Sequence, residues 1–332
     1  MKRILTAALL IVATASANLA YAQKSFHGDP LAHTFSIVAR DSVTGDIGVA
    51  VQSHWFSVGQ VVSWAEAGVG AVATQSLVNT SFGPRGLELL RAGLSPQEAI
   101  EELIESDEGR DFRQVAIIDS QGRVAAYTGK KCIAEAGHRT GTDFSVQANM
   151  MLNDTVWPAM AEAFNTSEGP LAERMVAALQ AAQSKGGDIR GQQSASILVV
   201  RGEKTGKPWE DRTLDLRVED HPKAVDEITR LLKVHRAYEH MNRGDMAIEH
   251  GNVDRALEEY GAAQKMFPGN VEMKYWTAVS LANVGKLERA LPLFREVFEE
   301  DKNWVELTRR IVPNGILQVD NKMLDRILTV HK

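Results

Sequence analysis

Thr34 heads the run Thr34-Phe35-Ser36-Ile37-Val38-Ala39-Arg40-Asp41, eleven residues beyond an Ala20-Tyr21-Ala22 processing signal. A hydroxyl side chain in such a place has a specific chemistry open to it. Once the α-amine of the same residue is freed, the oxygen attacks an acyl carbon and the amine takes its proton. The product is an ester on Thr34, which water then hydrolyses. Ser36 shares the face of Thr34 by the period-two alternation of a strand and is the nearest alternative nucleophile. Ser53 and His54 end the next strand, across a hairpin from Thr34. Gln75 and Ser76 follow a glycine-rich strand and are expected to precede a helix, where backbone N–H groups point at a developing oxyanion. Asn149 is a second amide donor. Asp188 and Arg190 stand between Gly187 and Gly191 just before an apolar strand. There they either orient a polar substrate or the freed amine, or form a salt bridge that fixes the loop. Arg113 opens a strand with Gln114 and is expected to reach the same centre.

The elements that must position these groups come in pairs. Residues 34–41 and 47–51 read as strands joined by a turn over 42–46, and residues 68–74 as a buried strand. Helical periodicity covers 85–92 and 96–106, the second opening with a Ser95/Glu98 capping box. A hairpin joins 115–119 to 124–127 across Ser120-Gln121-Gly122. Helices are expected over 154–164 and 171–184, and strands over 195–200 and 214–218. The Gly137-His138-Arg139 stretch reads as a surface turn. Strand pairs alternating with helix pairs point to antiparallel sheets layered with helices, not a wound parallel sheet.

The chain has 332 residues, 44% of them apolar and 24% charged, with a formal net charge of -6. The sign of that charge and the absence of a basic face argue against nucleic-acid binding. A single cysteine, Cys132, excludes an internal disulfide and reads as a small buried hydrophobe. The histidines are scattered without metal-ligand spacing, so neither metal nor cofactor is expected. Lys2 and Arg3, an apolar run over 4–17 and the Ala20-Tyr21-Ala22 site read as a secretion signal over 1–22. The run is short for a membrane span, so export to a periplasm without stable membrane insertion is expected. Residues 23–33 would remain as a leader.

After residue 222 the pattern turns helical. Gly251-Asn252-Val253-Asp254-Arg255-Ala256-Leu257 returns 34 residues later as Gly285-Lys286-Leu287-Glu288-Arg289-Ala290-Leu291, the period of the tetratricopeptide repeat. Gly244, Ala256, Tyr260, Ala263 and Pro268 fill the small, aromatic and proline positions of the first copy. The second keeps Ala278, Ala290 and Phe294. Two copies need flanking helices, expected over 223–238 and 303–328. Such a module either caps the preceding domain or docks a protein partner.

Residues 33–235 resemble the bacterial family catalogued as domain of unknown function 1028. The resemblance rests on residues 34–41, Gly48-Val49-Ala50-Val51, Trp55-Phe56-Ser57-Val58-Gly59 and Gly68-Val69-Gly70-Ala71-Val72-Ala73-Thr74-Gln75. Gly186-Gly187-Asp188-Ile189-Arg190-Gly191 and Asp215-Leu216-Arg217-Val218-Glu219-Asp220-His221-Pro222 extend it. The family is placed in the N-terminal-nucleophile hydrolase superfamily. That placement implies an α+β fold, a four-layer αββα sandwich over 34–234, here followed by an all-α repeat domain over 235–332. It also implies hydrolysis of a small amide or peptide-like C–N bond, with His54 as a group that holds the nucleophile or lowers its pKa, or else as a solvated strand end. Many relatives begin with Met-Thr-Phe/Tyr-Ser, whereas here the leader covers Thr34. The bond before Thr34 is therefore cut by the protein itself or by a protease, or the chain is a binding protein on a hydrolase scaffold. Homo-oligomerisation is left open.

Overall fold

The computed structural model describes residues 31–331, so the expected signal over 1–22 and most of the expected leader lie outside the described residues. The chain divides into two compact units between Thr229 and Arg230.

The first unit holds eleven strands: β1 (Leu31–Ala32), β2 (Thr34–Arg40), β3 (Ile47–Ser53), β4 (Ser63–Glu66), β5 (Gly70–Leu77), β6 (Arg113–Asp119), β7 (Val124–Thr128), β8 (Gly137–Gly141), β9 (Phe144–Ala148), β10 (Ser194–Val200) and β11 (Arg212–Val218). Its helices are α1 (Gly59–Val62), α2 (Phe82–Arg91), α3 (Pro96–Glu105), α4 (Val156–Thr166) and α5 (Leu171–Ser184). One antiparallel sheet runs β11-β10-β3-β2-β9-β8; the other runs β1-β5-β6-β7, with β4 also on β5. The expected strand and helix pairs are present, with ends moved by a few residues. The expected turn around His138 is instead strand β8, paired with β9. β8 lacks the apolar alternation that marks a strand in sequence: it is Gly-His-Arg-Thr-Gly and largely exposed, whereas its partner β9, Phe-Ser-Val-Gln-Ala, does alternate.

Period two assigns the faces. Val38, Val49, Val51, Ala71, Ala73, Ala116 and Ile118 fill the layer between the sheets. The alternate residues Val72, Val115 and Ile117 pack beneath α2 and α3 with Leu87, Leu90, Ile100 and Leu103. On the other sheet α5 lies against β2 and β3, and α4 against β8 and β9. The result is the αββα sandwich expected of the sequence. The capping box on α3 is formed: the Ser95 hydroxyl accepts from the Glu98 amide, and the Glu98 carboxylate accepts from the Ser95 N–H.

The second unit contains the remainder of α6 (Ala224–Glu249), then α7 (Val253–Met266), α8 (Val271–Asn283), α9 (Leu287–Glu300), α10 (Asn303–Ile311) and α11 (Asn321–Thr329). The helix expected to stop at residue 238 continues to Glu249, through Gly244, where a Cβ would run into the Tyr260 ring. Gly251 and Gly285 both end a helix at positive φ, +73° and +75°. Each following residue donates back across the last turn, Asn252 to Ala247 and Lys286 to Leu281. A Cβ at either position would be strained, so the repeated glycine marks the same helix stop twice. Ala256, Tyr260 and Ala263 are buried with Ala237 and Met241. Ala278, Ala290 and Phe294 are buried with Val305, Ile311 and Ile327 of the closing helices. The repeats thus lean on flanking helices, as two copies must.

Candidate active site

The inter-sheet layer changes character along its length. In phase with its apolar residues, β2 ends in Ser36 and Thr34, β3 in Ser53, β5 in Gln75, and β6 begins with Gln114. All five are fully buried. The strand registers bring these ends together: Thr34 pairs with Ser53, Gln75 with Gln114, and Ser36 with Gln147 of β9.

The chain enters this end from the opposite sheet. Leu31 and Ala32 pair with Leu77 and Ser76 of β5, and Thr34 starts β2 in the other sheet. His33 is the crossing residue and is buried. Its N–H donates to the Leu31 carbonyl at 3.0 Å, a sharp bend centred on Ala32. The Thr34 hydroxyl donates to the Ala32 carbonyl at 2.6 Å.

The carbonyl of the His33–Thr34 bond is the best-held group at the site. It accepts from the Ser53 hydroxyl at 2.5 Å and from Nη2 of Arg190 at 2.9 Å. Arg190 is in turn fixed by Asp188, with Nε at 3.0 Å and Nη2 at 2.7 Å from the two carboxylate oxygens. The Asp188 side chain is fully buried. It also accepts from the backbone N–H groups of Arg190 and His54. Gly187 and Gly191 on either side sit at φ +58° and +105°, which lets the loop fold back on Asp188. The salt bridge anticipated from sequence is therefore formed, and one of its members reaches the bond before Thr34.

A network of amides backs this junction. Gln114 Nε2 donates to the backbone carbonyls of Ala148 and Gly137, at 2.9 and 3.2 Å. Its Oε1 is left to accept from Gln75 Nε2 at 2.7 Å and Asn149 Nδ2 at 2.9 Å. Asn149 then presents Oδ1 to Nδ1 of His33 at 2.7 Å. Ser36 donates to Gln75 Oε1 at 2.6 Å and accepts from Gln147 Nε2 at 2.5 Å. An unpaired buried amide costs roughly 1–3 kcal/mol, so each member depends on the others staying in place.

Two expectations change. Gln75 and Ser76 lie inside β5, and α2 begins only at Phe82, so these two residues do not open a helix. Gln75 contributes its side-chain amide to the network instead. Of the two readings of His54 the solvated strand end is the one found: it is exposed beyond the end of β3, and it holds Asp188 through its backbone N–H. Arg113 ties Asp107, at 2.6 Å, to the Leu77 carbonyl at the end of β5; its neighbour Gln114 is the residue that reaches the centre. Ser36 stays among buried amides, and its two hydrogen-bond partners are neutral amides, not a base. His33 and Gln147 were not singled out from sequence. Gln147 carried a usable signal, a polar residue in phase with the polar end of a sheet. His33 carried none, because it belongs to neither strand.

Burial lowers the pKa of the His33 ring below its usual value; the bond to Asn149 opposes this, and Arg190 adds to it. Below about pH 6.5 the unfolded chain therefore binds a proton at His33 that the folded chain resists. The unfolded state then binds more protons, and stability falls on acidification. A chain that retains His33 is expected to lose melting temperature between pH 7 and 5, and His33→Gln to make the decline shallower. Thermal scans across that range check this; equal slopes would contradict it.

The fold and the polar end together define an α+β sandwich with a hydroxyl residue at the head of an inner strand and a polarised carbonyl before it. The chain belongs to the family of unknown function DUF1028, whose model matches residues 34–228, more than half of the chain. A tetratricopeptide-repeat model matches residues 241–302. The crystal structure of a DUF1028 protein from Silicibacter pomeroyi is similar at 32% identity and a TM-score of 0.55, covering 60% of this chain and 88% of that one. Anbu (ancestral beta-subunit) from Yersinia bercovieri matches at 13% identity and a TM-score of 0.31, covering 59% of this chain and 92% of that one, too distant to carry an argument. No curated protein matches the chain. Among the described residues, no helix is long and apolar enough to cross a membrane. No group of three or more His, Cys, Asp or Glu among them could hold a metal ion.

Proposed function

We propose that this protein is an exported N-terminal-nucleophile amidohydrolase whose nucleophile, Thr34, is released by cleavage of its own His33–Thr34 bond. The observation that carries the reading is the carbonyl of that bond, held between the Ser53 hydroxyl and the Arg190 guanidinium. Donors placed on a carbonyl oxygen stabilise the negative charge that grows there during attack.

The step is an acyl shift. Thr34 Oγ1 attacks the His33 carbonyl carbon, the C–N bond breaks, and the hydroxyl proton ends on the departing nitrogen. The result is an ester between His33 and Thr34. Water hydrolyses it, releasing the leader as a carboxylate and leaving Thr34 with a free α-amine. That amine is the base for later turnover, in which a substrate amide forms and loses an ester on the same oxygen. Ala32, His33 and Thr34 are all buried. An external protease needs an extended, accessible segment, so burial favours cleavage within the folded chain. Export rests on the N-terminal residues, and the repeats are read as a docking module for a protein partner.

One observation favours the competing reading of a binding protein. Ala32 packs in the inter-sheet core, as a permanent part of a fold does. Intact-mass measurement of the exported protein separates the two. A chain starting at Thr34 is expected; one starting at Gln23 that still hydrolyses amides would overturn the mechanism.

A further inference from the structure

We propose that residues Leu31, Ala32 and His33 occupy the acyl-side subsites of the enzyme, so that its substrate is a peptide laid on the edge of β5 with a hydrogen-bond donor beside the cleaved bond. The proposal rests on Thr34 as nucleophile. The ester formed between His33 and Thr34 during processing is an acyl-enzyme whose acyl group is the leader. A substrate acyl group on the same oxygen starts from the same point, and the leader's path is the one the fold provides.

Three features of that path select the substrate. On the edge facing away from β6, β4 pairs with β5 from Gly70 to Ala73. Further along the same edge, the described residues that pair with Ser76 and Leu77 are the two of β1. Loss of the leader would free the backbone groups of that edge, and an extended peptide is the ligand that restores them. Ser76 is held at φ +78°, a conformation a serine rarely adopts, directly opposite Ala32. Next, Ala32 is fully buried, while Leu31 is 42% exposed. The position second from the cleaved bond therefore takes a small side chain, and the third is open.

The position beside the bond is set by the amide network. The carbonyls of Ala148 and Gly137 orient Gln114. Gln114 Oε1 then takes the Asn149 NH2 group, and Asn149 is left facing His33 with an acceptor. Nδ1 of His33 is therefore a donor. A site that presents a buried acceptor rejects a side chain without a donor, because the acceptor would be left unpaired.

The test uses full-length protein shown by mass to begin at Thr34, with four aminomethylcoumarin amides as probes. Acetyl-Leu-Ala-His amide should give the highest kcat/KM. Acetyl-His amide, acetyl-Leu-Phe-His amide and acetyl-Leu-Ala-Leu amide should each fall about tenfold or more below it. Methylating the peptide nitrogens of Leu and Ala in the first probe should also lower its rate. A single-residue amide cleaved as well as the tripeptide would overturn strand addition, and leucine performing as well as histidine would overturn donor selection. Protein that begins at Thr34 and cleaves other amides but none of these four overturns the proposal and leaves the nucleophile standing. Protein that keeps its leader while cleaving any of them overturns the nucleophile itself.

Discussion

Thr34→Val is expected to keep the leader attached and to lower amide hydrolysis by about 10⁴-fold or more, the loss that follows removal of a nucleophile. Valine has the shape of threonine without the hydroxyl, so the β2 backbone and its pairing to Ser53 are preserved. What is lost in structure is one hydrogen bond, from Oγ1 to the Ala32 carbonyl. That is worth about 1 kcal/mol, with a further roughly 1–2 kcal/mol if the buried acceptor finds no other donor. The variant should therefore fold, with a melting temperature several degrees lower, and its mass should include residues 23–33. Thr34→Ser restores the oxygen and should restore both leader release and turnover, more slowly. A structural role for Thr34 would reduce stability in proportion to activity, whereas the chemical role separates them. If Thr34→Val hydrolysed amides at the parent rate, the nucleophile would have to be sought elsewhere. Ser36 is the nearest hydroxyl, but its partners are the amides of Gln75 and Gln147.

The sandwich was legible because its inner strands obey period two and its helices carry their own start signals. Val38, Val49, Ala71 and Ala116 announce a buried face, and Ser95 with Glu98 announces a helix. The repeat unit was legible from the return of Gly-x-x-x-x-Ala-Leu after 34 residues. What escaped was set by tertiary contact. β8 is short, polar and exposed, and its strand geometry comes from β9 rather than from its own residues. β1 is two residues long and exists only because β5 extends past β4. Gln75 reads as a strand terminator ahead of a helix, yet the strand continues through Ser76 to Leu77. The candidate nucleophile and the Asp188–Arg190 pair could be picked out individually from their glycine flanks and strand position. That Ser53 and Arg190 both reach the His33 carbonyl could not, because they come to it from a strand and a loop far apart in the chain.

Ser53→Ala is the cleanest probe of that target. It is expected to slow release of the leader by about 10²–10³-fold, the usual loss when one donor to a developing oxyanion is removed. In the resting protein the same change costs little, because the His33 carbonyl keeps Arg190 at 2.9 Å and the loss is one hydrogen bond, about 1 kcal/mol. Precursor should accumulate in a folded state, and a time course of leader release by mass should show the delay. Ser53→Thr keeps a hydroxyl at the position and should recover part of the rate. Arg190→Gln probes the second donor but does more than that. It leaves the fully buried Asp188 carboxylate without its cation, which costs about 3–5 kcal/mol where a buried pair is broken. Its effect on cleavage has to be judged against a melting curve, and Asp188→Asn combined with Arg190→Gln removes both charges together. In the parent the backbone N–H groups of Arg190 and His54 bond to different oxygens of Asp188, so the single amide oxygen of the double variant keeps one of these bonds, and its melting curve has to be measured as well. Slow release from a stable double variant would assign the rate to Arg190 itself. Release at the parent rate from Ser53→Ala and from the double variant alike would mean that the two donors hold the leader in place without assisting its cleavage.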